Sequence, residues 1–148
     1  MKREILLTVL STSLILMFMY AAFSKVFDWP GFTHAMEMQP VPNWSKTFLQ
    51  WSVPIVEIFI SIALIFSRSR LWGFYGASVV MLAFTVYVGL GIANLLPYTP
   101  CACGGVISQF TWPQHFAFNS TFLLIAVSGI IAEKKLLNNK HSSSLTLT

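Results

Sequence analysis

Two cysteines separated by one residue, Cys101 and Cys103, are the most reactive pair in this sequence, and its 148 residues hold no others. A structural disulfide stabilises mainly by restricting the unfolded chain, and a bridge across one intervening residue restricts almost nothing. Such a small ring is strained, and strained, exposed disulfides are the oxidising, exchangeable ones. Gly104 and Gly105 follow directly and allow the torsions that a tight ring or a closely docked partner needs. Three chemistries fit the pair: thiol–disulfide exchange, metal binding, or inert thiols that meet another protein's cysteines. For the metal reading, His34, Met36 and Met38 supply soft ligands that could join Cys101 and Cys103 around Cu(I).

The residues that follow support reactivity. Thr111, Trp112 and Pro113 read as a helix start, with proline in the first turn where its missing N–H does no harm. A helix N-terminus close to a thiol favours the thiolate. His115, in the same turn, could exchange a proton with a departing thiolate, or it could be an interfacial side chain with its tip in water. Asn119 is four residues on and shares its helix face. Glu57 stands inside a long apolar run, where an ionised carboxylate is costly. At about 1.5 Å per residue, Glu57, Tyr87 and Asn119 fall at a common depth of about 10–15 Å below one surface. They form the expectation of a buried polar cluster in which Tyr87 or Asn119 bonds the carboxyl, either to relay a proton or to hold helices together. Lys25 ends the first apolar run and either snorkels to the interface or turns toward Glu57 and the cysteine segment.

The elements that must position these residues are membrane helices. Charged residues are 9% of the chain against about 25% in a soluble domain, hydrophobic residues are 55%, and mean hydropathy is +0.69. A soluble chain this short could not hide so much apolar surface. Four helices are expected, over about 5–24, 48–66, 71–96 and 113–132, each near the ~20 residues that span ~30 Å of hydrocarbon. Residues 1–140 then form one domain, and the Ser- and Thr-rich residues 141–148 a disordered tail. Three further spans favour an uncleaved first helix over a signal peptide.

Seven of the nine basic residues (Lys2, Arg3, Arg68, Arg70, Lys134, Lys135 and Lys140) fall on one side of a four-span chain, and Lys25 and Lys46 fall on the other. The positive-inside rule makes the first side cytoplasmic, with both termini there and both long loops, about Ser24–Thr47 and Pro97–His115, outside. The net charge of +4 is therefore a topology signal and not a nucleic-acid footprint. The expected fold is an all-α integral membrane four-helix bundle in a bacterial inner membrane, with the cysteine loop periplasmic. Trp29, Trp44, Trp51 and Trp112 gather at the outer interface as an aromatic belt, and some could flank a quinone.

The pattern resembles the MauE-like branch of the DoxX superfamily, four-helix membrane proteins named after a methylamine-utilisation protein. The resemblance rests on residues 23–28 ending helix 1, residues 53–57 with Glu57, and Cys101 to Gly105 before the last helix. Trp112, Pro113, Gln114 and His115 followed by Asn119 is similar to forms common in Bacteroidota. It implies a role in making or maintaining disulfides in exported proteins, alongside a thioredoxin-fold or other exported thiol partner. Broader similarity to the quinone-linked oxidants DsbB and vitamin K epoxide reductase implies a quinone as cofactor. Those proteins use additional or differently spaced cysteines, so one copy of this chain cannot run a two-step internal relay. The candidate site residues, from the residue reading and the resemblance together, are Cys101, Cys103 and His115 for the exchange, with Lys25, Glu57, Tyr87, Trp112 and Asn119 lining the pocket. An assembly scaffold for a thioredoxin-fold partner and a copper-handling protein are the alternatives.

Overall fold

The computed structural model describes residues 2–96 and 110–145, with side chains described over 3–96 and 110–139. Those residues form five helices: α1 (Lys2–Phe27), α2 (Trp29–Glu37), α3 (Asn43–Ile65), α4 (Arg70–Ile92) and α5 (Trp112–Leu145). All but α2 are long and apolar enough to cross a membrane. Each packs against two neighbours in the ring order α1, α3, α4, α5, and α2 lies across α3 and α1 at one end. The molecule is an all-α, multi-pass membrane protein.

One spacing organises the ring. On α1 the buried residues Leu7, Ser11, Leu14, Phe18, Ala21 and Lys25 are separated alternately by four and three, with Met17 and Ala22 buried beside them. Gln50, Pro54, Glu57, Ser61 and Leu64 repeat that spacing on α3, and His115, Asn119, Ala126, Gly129 and Glu133 fall on it along α5. A seam of this period keeps one face of each helix against its neighbours. Leu14, Phe18, Leu64, Phe74, Ala77 and Ala126 fill the centre. The outward faces are just as apolar: Leu16, Phe59, Val79 and Leu124 are all exposed, as a surface solvated by lipid requires. Hydroxyls within α1 bond back to carbonyls a turn earlier, Thr8 to Glu4 and Ser24 to Tyr20, which satisfies them in an apolar setting.

The helices depart from the expected boundaries at four places. The connection between α1 and α3 contains α2, a nine-residue helix. Asp28 caps it by accepting from the Gly31 N–H at 3.2 Å, and Pro30 sits in its first turn. α3 begins at Asn43 and not near 48, and α4 ends at Ile92 and not at 96. α5 runs to Leu145, past the expected end at 132 and through the first part of the stretch read as a disordered tail; residues 146–148 lie outside the described residues. Its 34 residues amount to about 50 Å, well beyond the hydrocarbon thickness.

Gly129 shows how closely α4 and α5 approach. A Cβ there would fall on the ring of Phe74, itself fully buried. Gly129→Ala is expected to cost about 1–3 kcal/mol through overpacking, checked by thermal unfolding in detergent; an unchanged melting temperature would mean that the two helices separate freely.

At the opposite end from α2, the expected clustering of basic residues holds. The N-termini of α1 and α4 meet the C-terminal part of α5, so Arg3, Arg70, Lys134 and Lys135 share one end of the bundle. There Arg70 grips Glu133 with two bonds, Nε to Oε2 at 2.8 Å and Nη2 to Oε1 at 3.2 Å. Glu133 is buried, a second acid within the bundle that composition and spacing had not singled out.

Candidate functional site: a buried ion pair beneath the short helix

Lys25 occupies the last turn of α1 on its buried seam, and Glu57 lies mid-way along α3 on the facing seam; each is only 2% exposed. Their side chains meet. The Lys25 Nζ donates to Glu57 Oε1 at 2.8 Å and Oε2 at 3.1 Å, and to the Ala21 carbonyl at 3.3 Å, which uses all three ammonium protons. Lys25 therefore turns inward, and the snorkelling alternative is overturned. α2 closes over the pair: the Phe32 ring centroid lies 6.0 Å from the ammonium, at the limit of a cation–π contact. Ser61 donates to the Glu57 backbone carbonyl at 2.9 Å, which leaves the carboxylate to Lys25.

Beside the pair is a cavity of about 30 Å³ lined by Met17, Phe18, Met81, Phe84, Phe118 and Asn119 as well as by Lys25 and Glu57. It is large enough for a single water. The Asn119 Nδ2, buried on α5, has no hydrogen-bond partner among the described residues. A carboxylate with spare lone pairs and an amide donor without an acceptor thus line one small space, an arrangement suited to holding a water or another small polar group.

The expected partner of Glu57 needs correction. Neither Tyr87 nor Asn119 bonds the carboxyl; Lys25 does. The Tyr87 hydroxyl instead donates to Gln39 Oε1, just beyond α2, and Gln39 Nε2 donates to the Ala35 carbonyl at 2.9 Å. This second cluster borders a larger cavity of about 240 Å³ between α2, α3 and α4, walled by Phe32, Met36, Leu49, Val53, Phe84 and Val88. Tyr87 also faces Trp112, with ring centroids 6.4 Å apart, and Trp112 packs against the bare backbone of Gly91. Gln39 and Phe32 were not singled out in the sequence, because the helix that carries them was not foreseen.

α5 starts where expected, with Pro113 in its first turn and the Gln114 Oε1 accepting from the Thr111 N–H at 2.8 Å. His115 is 2% exposed and packs against Phe110, with centroids 5.6 Å apart, so the reading of an interfacial ring with its tip in water is overturned. Asn119 lies one turn deeper on the same face, about 6 Å along the axis, and connects the His115 level to the ion-pair level. Cys101 and Cys103 lie outside the described residues; the chain leaves the description at Leu96 and re-enters it at Phe110, immediately before His115. On α2, Met36 is buried while His34 and Met38 are exposed, so these three soft ligands do not converge.

The walls of the 240 Å³ cavity are apolar, and the two polar side chains on its border, Tyr87 and Gln39, bond to each other and, through Gln39, to the Ala35 carbonyl.

No curated protein and no solved structure matches the chain. A family model does, over residues 3–132, a span that takes in the four long helices' membrane-crossing parts, both partners of the buried ion pair, the two cysteines and His115. With the all-helical ring and that match, the chain belongs to the family described as methylamine utilisation protein MauE.

Proposed function

We propose that this MauE-family membrane protein exchanges thiols and disulfides with an exported thioredoxin-fold or other thiol protein through Cys101 and Cys103. The observation that carries the reading is their spacing: the chain's two cysteines stand one residue apart, the second twelve residues before His115, which is buried in the first turn of α5. The family's link to methylamine utilisation is compatible with a role in maturing an exported enzyme system. Seven basic residues at the opposite end support placing that end in the cytoplasm and the cysteine segment on the oxidising side of an inner membrane.

In the oxidising direction, a partner thiolate attacks one sulfur of the Cys101–Cys103 disulfide. The S–S bond breaks and a mixed disulfide forms, with the departing cysteine taking a proton carried by His115, the next histidine along the chain. A second partner thiolate then attacks the mixed disulfide and releases Cys101 and Cys103 as a dithiol. Two electrons and two protons have passed from partner to membrane protein, and the reverse sequence reduces the partner. The Lys25–Glu57 pair holds α1 and α3 in register.

The test is trapping. The purified protein is mixed with a thioredoxin whose resolving cysteine is replaced by serine, and adducts are read on non-reducing gels. Wild type is expected to give a reductant-sensitive adduct, and the variant with Cys101→Ala and Cys103→Ala none. Partner binding that survives loss of both cysteines, with no adduct from wild type, would establish the scaffold reading instead. Stoichiometric Cu(I) binding without exchange would establish the copper reading.

A further inference from the structure

The end of the bundle opposite α2 carries a second feature, independent of the redox reading. Between α1 and α5 lies a groove of about 310 Å³ lined by Arg3, Leu6, Ser128, Ile131, Ala132 and Lys135. Its two cations sit at one end and its small and apolar residues run away from them into the membrane. On α5, Lys135, Ile131 and Ser128 descend over about 10 Å along one face, and on α1 Leu6 lies one turn below Arg3. Leu6 and Ile131 are exposed, so the groove opens to lipid along its length.

The charges of this end are unequally committed. Arg70 is bound to Glu133 by two hydrogen bonds, and Lys134 lies 5.5 Å over the Tyr75 ring. Arg3 and Lys135 form no ion pair with any described residue. Arg3 is nonetheless held in place: with its amide in the orientation that satisfies both ends, Asn139 accepts from Arg3 Nη1 at 2.9 Å and donates to the Lys135 carbonyl at 3.3 Å. Of the nearby acids, Glu133 is consumed by Arg70, and Glu4 is exposed and does not line the groove.

We propose that this groove binds one anionic phospholipid, with the phosphate between Arg3 and Lys135 and an acyl chain along Leu6 and Ile131. Two uncompensated cations facing one space attract a phosphodiester, and the apolar walls below them suit the chain that a phospholipid carries and a free phosphate lacks. A zwitterionic lipid gains less there, because its own cation offsets the attraction.

Titration of the delipidated full chain in detergent, read by native mass spectrometry, tests this. Phosphatidylglycerol is expected to add as one tightly held molecule, ahead of phosphatidylcholine. The double variant Arg3→Gln, Lys135→Gln is expected to weaken that binding by about 30-fold, at the usual contribution of each basic residue near a lipid surface. Arg68→Gln, an exposed basic residue of the same end outside the groove, is expected to change nothing. Leu6→Trp, which fills the walls and leaves both cations, is also expected to weaken binding, and it keeps the test open if the double variant folds poorly. Equal affinity for phosphatidylcholine, or an Arg68→Gln effect as large as that of the double variant, would overturn the proposal. So would displacement of the lipid by equimolar inorganic phosphate, which would reduce the groove to a phosphate site.

Discussion

Glu57→Ala is expected to lower the stability of the protein by about 3–5 kcal/mol, the usual cost of leaving a buried charge without its partner. The stranded group is the Lys25 ammonium, 2% exposed, with the Ala21 carbonyl as its remaining acceptor. Thermal unfolding in detergent measures the loss, and a melting temperature equal to wild type would show that water reaches Lys25 freely. The informative companion is the double variant Lys25→Met, Glu57→Met. Replacing both charges by apolar side chains of similar volume is commonly neutral or stabilising, so this protein should melt near wild type or above it. If the pair serves only to join α1 and α3, mixed-disulfide formation returns along with stability. If it shapes the small cavity it shares with Asn119 for the exchange reaction, stability returns and exchange does not. The second outcome is expected, because the pair borders a water-sized cavity shared with Asn119, which a purely structural pair would not need.

Arg70→Ala carries the second large effect, about 3 kcal/mol, at the lower end of the same range. The asymmetry of this pair sets the size. The Glu133 side chain is 3% exposed and that of Arg70 16%, so removing the arginine strands a buried carboxylate between α4 and α5. Removing the carboxylate instead leaves a cation whose long stem can carry it to the interface. Glu133→Gln should therefore cost clearly less than Arg70→Ala, and Arg70→Lys should fall between them because a single ammonium cannot reproduce the two-pronged grip. Melting curves of the three variants decide it; equal losses would show that solvent reaches both partners alike.

The four long helices were legible because lipid demands long apolar runs, and the basic residues marked one end of the bundle for the same reason. The short α2 was not. Its cap, Asp28 with Pro30 and Gly31, stands in the sequence, but nine residues give too little periodicity to separate a helix from a surface segment. The partner of Glu57 was readable in principle. Leu7, Leu14, Phe18 and Ala21 set a four-three spacing whose next position is Lys25, and Gln50, Pro54, Ser61 and Leu64 place Glu57 on the matching seam. What misled was depth: levels counted along straight helices put Tyr87 beside Glu57, whereas α2 folds back and gives Tyr87 its own partner in Gln39. Glu133 was hidden by its neighbours, since an acid just before Lys134 and Lys135 reads as part of a solvated helix end.

The separation of Lys25 and Glu57 along the chain also orders how the protein is made. α1 emerges from the ribosome 32 residues ahead of the acid it will neutralise. α3 then enters the bilayer carrying a carboxylate near its middle, and a lone acid there opposes insertion by roughly 2.5–3.5 kcal/mol. The apolar remainder of α3 must offset that cost until Lys25, already in place on α1, neutralises the acid.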